Sequence, residues 1–177
     1  EISLGLVGSE MCIRDRSDEG VMQRKHGHGW QFLPTLNSPK TRFESYRFRM
    51  LLEPAGLLEP TFTINPEQFR RCRERQMELL EGTVDGQRFI ECNAEFHELL
   101  AAASGNGYIL QAIQQQNRLR RLTEFHTVNN VERVRVSCQE HLAILDALEQ
   151  GDNEWASTLL HRHLDVASKL RVARNKS

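Results

Sequence analysis

The stretch "QEHLAILDALEQGDNEWASTLLHRHL", residues 139–164, predicts two antiparallel helices joined by a tight turn. Apolar residues recur every three to four positions on both sides of "QGDN", as on one face of an α-helix. Gly151 is typical of a helix end, and Asp152 or Asn153 is typical of the cap that opens the next helix. We therefore expect helices at about 131–149 and 153–172, packed along their apolar faces.

Two histidines lie at equal distances from this turn. His141 precedes Asp152 by eleven residues, and His163 follows it by eleven. A rise of 1.5 Å per residue places both about 16 Å from the turn. The two imidazoles can therefore face each other if both point into the bundle, and the apolar residues that follow His141 favour an inward face.

The stretch "ECNAEFHELL", residues 91–100, supplies a third polar corner. Asn93 and His97 are four residues apart, so they stack on one face of a helix. Three imidazoles and one side-chain oxygen suit a borderline divalent ion such as zinc or nickel. The alternative is that these are ordinary polar residues, because a lone histidine near an apolar face is more often a core or surface residue than a ligand.

Periodicity elsewhere in the chain predicts an all-α antiparallel bundle of about six helices, formed by residues 44–172. Asn65 is a good helix cap, and Pro66 suits the first helical position. Short loops between long helices favour antiparallel neighbours. The expected helices span about 44–56, 65–82, 86–103, 107–126, 131–149 and 153–172.

The segment before the bundle predicts a β-hairpin and a linker. In "GVMQRKHGHGWQFLP", residues 20–34, apolar residues bracket a polar tip rich in glycine. We assign residues 17–36 to this hairpin and residues 37–43 to a linker. Residues 1–16 contain "LVGSEMCIRDR", which resembles a translated sequencing-adapter run, so we expect them to be non-native or disordered.

Composition excludes several classes of protein. Hydrophobic content is 39%, charged content is 27% and the net charge is -1, which is typical of a globular domain without a strong overall attraction to nucleic acid or membranes. No apolar run is long enough to span a bilayer. The four cysteines are scattered, so we interpret them as free thiols, with Cys138 in the core, and expect a cytoplasmic protein.

Several motifs resemble one family of bacterial regulators. "HGHGWQFLP" is similar to the wing of the winged helix-turn-helix in the GntR superfamily. "YRFRMLLEPAGLLEP", "NAEFHELLAAASGN", "QEHLAILDALEQGD" and "LLHRHL" resemble, in the same order, helices of the FCD effector domain in its FadR-like branch. The resemblance covers about residues 20–170.

The resemblance implies an effector-binding cavity with a metal site. It assigns metal-ligand roles to Asn93, His97, His141 and His163, with Asn93 where many members have aspartate and therefore a weaker, uncharged ligand. It also makes Arg49 a candidate partner for an effector carboxylate. The alternative for Arg49 is a salt bridge to Glu53, four residues later on the same helix.

The resemblance also implies DNA binding and a homodimer. The wing tip, here Arg24, Lys25, His26, Gly27 and His28, would contact DNA. A winged domain has three helices before its wing, and this sequence shows none, so we expect this chain to bind DNA weakly or not at all. We interpret "RLRR", residues 118–121, as a solvated face or a dimer contact rather than a nucleic-acid patch.

The function predicted from the sequence is a ligand-responsive transcriptional regulator, not an enzyme. A dication held by neutral ligands leaves a positive site, so a small organic acid is the expected effector. The alternatives are a metal-dependent hydrolase and a plain helical interaction module. A hydrolase needs a general base near the metal. The candidate acids within the motifs are Glu95 and Glu140, and we expect both to point away.

Overall fold

The computed structural model describes residues 22–25, 29–32, 36, 38–82, 86–124 and 131–173, and these residues form a two-stranded ribbon followed by a bundle of six helices. The predictions for residues 1–16 and for His26, Gly27 and His28 lie outside the described residues. The strands are β1 (Met22–Lys25) and β2 (Gly29–Phe32), and the helices are α1 (Pro39–Gly56), α2 (Pro66–Glu81), α3 (Gly86–Ala103), α4 (Gly107–Glu124), α5 (Val131–Glu149) and α6 (Asn153–Ala173).

The predicted hairpin is present as an antiparallel pair of strands. Met22 lies opposite Phe32, and Lys25 lies opposite Gly29. Arg24 and Lys25 therefore belong to β1, beside the tip of the ribbon. Their contact with DNA, and the role of the ribbon as a wing, stay predictions.

The first helix begins at Pro39, about five residues before the predicted start. The Ser38 hydroxyl accepts a hydrogen bond from the Thr41 backbone N–H at 3.1 Å, and the Thr41 hydroxyl accepts one from the Ser38 N–H at 3.2 Å. This reciprocal cap, with proline at the first helical position, starts the helix inside the segment predicted as a linker. The prediction of a linker at 37–43 was wrong. The first turn of this helix is fixed by its cap and not by a repeat of apolar residues, so the apolar pattern did not reveal it.

Helix α1 is fixed against α6 by polar contacts as well as by apolar packing. The Ser157 hydroxyl donates to the Pro54 carbonyl at 3.0 Å, and the Asn153 amide donates to the Leu57 carbonyl at 2.9 Å. Both carbonyls lie at the C-terminal end of α1, where the regular pattern of helical hydrogen bonds ends, and the Pro54 carbonyl also accepts from the Leu57 N–H at 3.3 Å. The end of α1 is thereby anchored to the first turn of α6.

The α5–α6 hairpin has the predicted form. Gly151 adopts a positive φ of 77° between the two helices, and the Asp152 carboxylate accepts a hydrogen bond from the Trp155 N–H at 2.9 Å. The capping residue is therefore Asp152, whereas Asn153 bonds to α1. The main core lies along this hairpin, and its fully buried members include Leu57, Phe69, Phe96, Ile144, Leu145, Leu148, Leu160 and Leu164.

Two other sequence predictions concern cysteines and membranes. Cys72, Cys92 and Cys138 are free thiols, and Cys138 packs with Leu79, Cys92 and Val134 as expected. Among the described helices, none combines the length and the hydropathy needed to cross a bilayer.

The Asp152 cap generates a prediction about stability. Asp152→Ala leaves the Trp155 N–H without its side-chain acceptor, so we expect the free energy of unfolding to fall by about 1 kcal/mol. Urea denaturation followed by circular dichroism measures this change. The matched control is Asp165→Ala, which removes only a largely exposed pair with Lys169 and should change stability by less than about 0.5 kcal/mol. Equal effects of the two substitutions would show that the cap contributes nothing specific.

Candidate metal centre

Three buried histidines from three helices converge in the bundle. His97 belongs to α3, His141 to α5 and His163 to α6, and their side chains are at most 3% exposed. One nitrogen of each ring lies within 4.8 Å of the other two. A group of three imidazoles at this separation can bind a single divalent ion.

His141 and His163 lie at equal distances from Asp152, and their rings meet across the α5–α6 hairpin, as predicted. Their Nε2 atoms are 3.3 Å apart, and their ring centroids are 4.7 Å apart at an interplanar angle of 61°. The His97 ring centroid lies 5.5 Å from each of the other two. Phe96 stacks on the His141 ring at 3.9 Å and limits its rotation.

Each histidine is oriented by an oxygen bound to its Nδ1 atom. The acceptors are Glu53 Oε2 for His97 at 2.7 Å, Gln76 Oε1 for His141 at 3.0 Å, and Glu140 Oε2 for His163 at 2.7 Å. An Nδ1–H that donates to an oxygen fixes the tautomer and leaves Nε2 with a lone pair. This is the arrangement in which proteins present imidazole to a metal.

The contact made by Glu140 corrects the sequence analysis. Glu140 was expected to point away from the histidines because it precedes His141 in sequence. It instead reaches across to His163 on α6, and Arg133 binds the same carboxylate oxygen at 3.2 Å. Glu95 does point away, towards Arg75 on α2. Adjacency to His141 along α5 did not exclude contact with a ring on the neighbouring helix.

Sequence reasoning missed Glu53 and Gln76 as parts of the site. Glu53 was considered only as a partner of Arg49, although a buried carboxylate one helix away from a histidine often fixes the ring. Gln76 lies within "RRCRERQMELL", where most neighbours are charged, and no local signal separates it from a surface residue. It is nevertheless 1% exposed.

The histidines are neutral at neutral pH. The pKa of His97 is lowered to about 3, mainly by burial; Glu53 opposes the change, and the positive charge of Arg49 adds to it. Burial and the neighbouring His163 hold the pKa of His141 well below its ordinary value. Burial also lowers the pKa of His163, against the opposing effect of Glu140. Neutral imidazole is the form that coordinates metal ions.

Glu53 joins Arg49 to His97 in a buried chain of contacts. One carboxylate oxygen accepts a hydrogen bond from Arg49 Nε, and the other bonds to His97 Nδ1. Burial raises the pKa of Glu53, but Arg49 and His97 outweigh burial and hold it well below the ordinary value. The alternative for Arg49, a salt bridge to Glu53, is therefore present, while Arg49 Nη2 is buried without a hydrogen-bond partner.

The lone pairs of the site fit a cation. His97 Nε2 is buried with no hydrogen-bond partner. His141 Nε2 and His163 Nε2 face each other at 3.3 Å, and each carries a lone pair when its ring donates through Nδ1. Three convergent nitrogen lone pairs shielded from water are satisfied together by one divalent ion. The donor set therefore fits the metal that the sequence predicted.

The remaining predicted residues divide between the site and the rest of the bundle. Asn93 is 6% exposed on the same helix as His97, and its role as a ligand stays a prediction. His161, two residues before His163 on α6, is exposed. Arg120, from the run interpreted as a solvated face or dimer contact, is instead buried, with its guanidinium 5.9 Å from the Tyr46 ring centroid. That interpretation was wrong for Arg120 because the helix turns this residue towards α1.

Comparison with known proteins agrees with this fold. The FCD domain family matches residues 44–166. No curated protein matches the sequence. The chain is similar to the solved structure of Lar, which controls expression of the Listeria monocytogenes agr system, with a TM-score of 0.79, 12% identity, and 93% of this chain and 78% of that chain covered.

Two further solved structures have the same fold. A GntR-family regulator from Pseudomonas syringae has a TM-score of 0.63 and 18% identity, over 92% of this chain and 68% of that chain. McbR/YncC from E. coli has a TM-score of 0.71 and 14% identity, over 93% and 78%. The family match identifies a regulatory domain, not an enzyme, in agreement with the sequence analysis. The chain belongs to the FCD domain family and has the fold of GntR-family transcriptional regulators.

Proposed function

We propose that this protein is a ligand-responsive transcriptional regulator whose helical domain binds one divalent metal ion together with a small organic acid. The observation that carries the proposal is the convergence of three buried, neutral histidines, each with Nδ1 held by an oxygen. Asn93 supplies the fourth ligand through its amide oxygen. Zinc or nickel suits this set of imidazole and oxygen ligands.

The charges around the histidines favour an anionic effector. Glu53 pairs with Arg49, and Glu140 pairs with Arg133, so the two carboxylates nearest the rings are balanced by two guanidinium groups. The histidines themselves are neutral. A bound dication therefore keeps its net positive charge and, with open coordination positions, acts as a Lewis acid that attracts a carboxylate.

Arg49 offers a second contact to the same carboxylate. Its side chain is 1% exposed, and Nη2 is buried without a hydrogen-bond partner while Nε binds Glu53. A buried guanidinium donor without an acceptor costs free energy, and an effector carboxylate would supply that acceptor. Arg49 is therefore the residue of this chain that we assign to effector recognition.

Helix α1 connects the site to the strand ribbon. Six residues separate its first residue, Pro39, from the end of β2 at Phe32, and it contributes Glu53 and Arg49 to the centre. Effector binding at Arg49 would act on the helix that leads to the DNA-binding region, and a regulator of this class would change its operator affinity accordingly. A homodimer is part of the proposal, and Phe43, Phe48 and Leu51 leave exposed apolar surface on α1 for a second copy.

Metal binding should stabilise the domain. A ligand at a hundred times its dissociation constant adds about 2.7 kcal/mol, which corresponds to a rise in melting temperature of several degrees. We expect zinc or nickel to produce this rise in the parent protein. His141→Ala and His163→Ala should abolish it, because each removes one of the three imidazole ligands.

The matched control for these variants is His161→Ala, which removes an exposed histidine from the same helix as His163 and should keep the full metal response. Thermal unfolding with and without each metal measures all four proteins. If neither metal changes the melting temperature of the parent, the histidines are ordinary bundle residues and the chain is a plain helical module.

The ligand role of Asn93 has its own test. Asn93→Asp should tighten zinc binding, because a carboxylate adds negative charge to an otherwise neutral ligand set, and Asn93→Ala should weaken it. Isothermal titration of each variant with zinc measures the change. Equal affinities for the Asp, Ala and parent proteins would remove Asn93 from the ligand set while leaving the histidines in place.

Effector recognition by Arg49 can be separated from metal binding. With zinc present, Arg49→Lys should weaken succinate binding by about tenfold, because lysine keeps the charge but loses the guanidinium hydrogen-bond geometry, worth about 1.5 kcal/mol. Calorimetric titration with succinate measures this. The control, Arg47→Lys, changes an exposed arginine on the same helix and should bind succinate as the parent does. Unaltered succinate binding in Arg49→Lys would reduce Arg49 to a structural partner of Glu53.

A further inference from the structure

The three oxygens that orient the histidines are not chemically equivalent. Glu53 and Glu140 are carboxylates, and an ionised carboxylate only accepts hydrogen bonds. Each carboxylate is also paired with a guanidinium group, Glu53 with Arg49 and Glu140 with Arg133, and this pairing favours the ionised form. Gln76 is an amide, and an amide accepts through its oxygen or donates through its nitrogen. His141 is thus the one histidine of the three whose Nδ1 partner can serve in either role.

This difference matters because of the short contact between two rings. Glu140 holds His163 as the Nδ1–H tautomer, so His163 Nε2 carries a lone pair. If Gln76 Oε1 accepts from His141 Nδ1–H, then His141 Nε2 carries a lone pair as well. Two lone pairs 3.3 Å apart in a buried site need either a cation or a hydrogen atom between them.

The Gln76 amide can provide that hydrogen indirectly. Its side chain is 1% exposed, and its Nε2 atom is buried without a hydrogen-bond partner. Rotation about the last side-chain torsion exchanges the amide oxygen and nitrogen at nearly unchanged positions. The nitrogen then donates to His141 Nδ1, and the ring hydrogen of His141 resides on Nε2, from which it donates to His163 Nε2.

We propose that Gln76 is a positioning residue that switches His141 between two tautomers as the proposed metal site is loaded. In the metal-free protein, Gln76 donates to His141 Nδ1, and His141 Nε2–H donates to His163 Nε2. When a dication binds, Gln76 rotates and accepts from His141 Nδ1–H, so that all three Nε2 lone pairs point at the ion. The inference rests on the proposed function, because the second arrangement requires the metal.

The switch conserves protons and avoids buried charge. His141 Nε2 releases its proton to solvent and Nδ1 takes one up from solvent, so His141 stays neutral and has one ring hydrogen in both states. Both arrangements satisfy the nitrogens that face each other. A carboxylate at position 76 would instead hold His141 permanently as the Nδ1–H tautomer, and in the metal-free protein the two lone pairs would remain opposed.

The test is nitrogen NMR of the 177-residue protein with 15N-labelled histidine, because protonated and unprotonated ring nitrogens give well-separated signals. Single His→Ala variants assign the signals. In the metal-free protein we expect His97 and His163 as Nδ1–H tautomers and His141 as the Nε2–H tautomer. On addition of zinc, His141 should change to Nδ1–H with Nε2 bound to the metal, while the other two keep their tautomers.

Two substitutions at position 76 sharpen the test. Gln76→Glu should show His141 as Nδ1–H before any zinc is added. Gln76→Met, which neither donates nor accepts strongly, should weaken zinc binding by about 10- to 100-fold, the usual effect of removing a partner of a metal ligand. Gln68→Glu adds the same charge to an exposed position of α2 and should leave the tautomers of the parent unchanged.

A reciprocal variant tests the chemical reason. Glu140→Gln gives His163 a partner that can donate or accept, so the metal-free protein should now populate the Nε2–H tautomer of His163 as well. The parent spectra decide the matter even if a variant fails to fold. If His141 of the metal-free parent is already Nδ1–H, and zinc still binds all three rings, the switch is overturned and the metal site stands. If zinc changes none of the three rings, the metal site itself fails, and the switch fails with it.

Discussion

The burial of three imidazoles around one point is the constraint on which the rest of this structure depends. A buried ring nitrogen needs a partner, and three rings present six nitrogens in a space that water does not reach. The structure meets half of this demand with oxygens from three different helices: Glu53 on α1, Gln76 on α2 and Glu140 on α5. The rings come from α3, α5 and α6, and the oxygens come from α1, α2 and α5. One polar cluster therefore fixes the positions of five helices relative to one another.

The height of the cluster in the bundle follows from the α5–α6 turn. Near the turn, Leu145, Leu148 and Leu160 are fully buried and form a dry core. One to two helical turns further along α5, and similarly along α6, the inward positions become His141 and His163. The apolar layer gives the hairpin its packing free energy, and this packing fixes the separation at which the two rings meet. A site built between packed helices is therefore held more rigidly than one built on loops.

Electrostatics makes the same cluster suitable for an anion as well as a cation. The two carboxylates beside the rings are each paired with an arginine, so neither cancels the charge that a bound dication would bring. Removing one member of the Arg49–Glu53 pair would leave a buried charge without its partner, which is strongly destabilising. The pair therefore has two consequences, since it supports the fold and it holds a guanidinium with one unused donor beside the centre.

The sequence by itself determined the helices and the candidate ligands, because both are encoded locally. The predicted helix bounds agree with the structure to within a few residues, because they rest on apolar periodicity, on the Asn65–Pro66 helix start and on the turn at Gly151 and Asp152. The exception is the helix start at Ser38, because its cap carries no apolar signal. Equal arms about Asp152 placed His141 opposite His163. Only the tertiary structure decided which oxygens orient the rings, since Glu53 and Gln76 reach the histidines from 44 and 65 residues away. No local sequence pattern predicts such a contact, because the packing of the helices against one another brings the two side chains within hydrogen-bond distance.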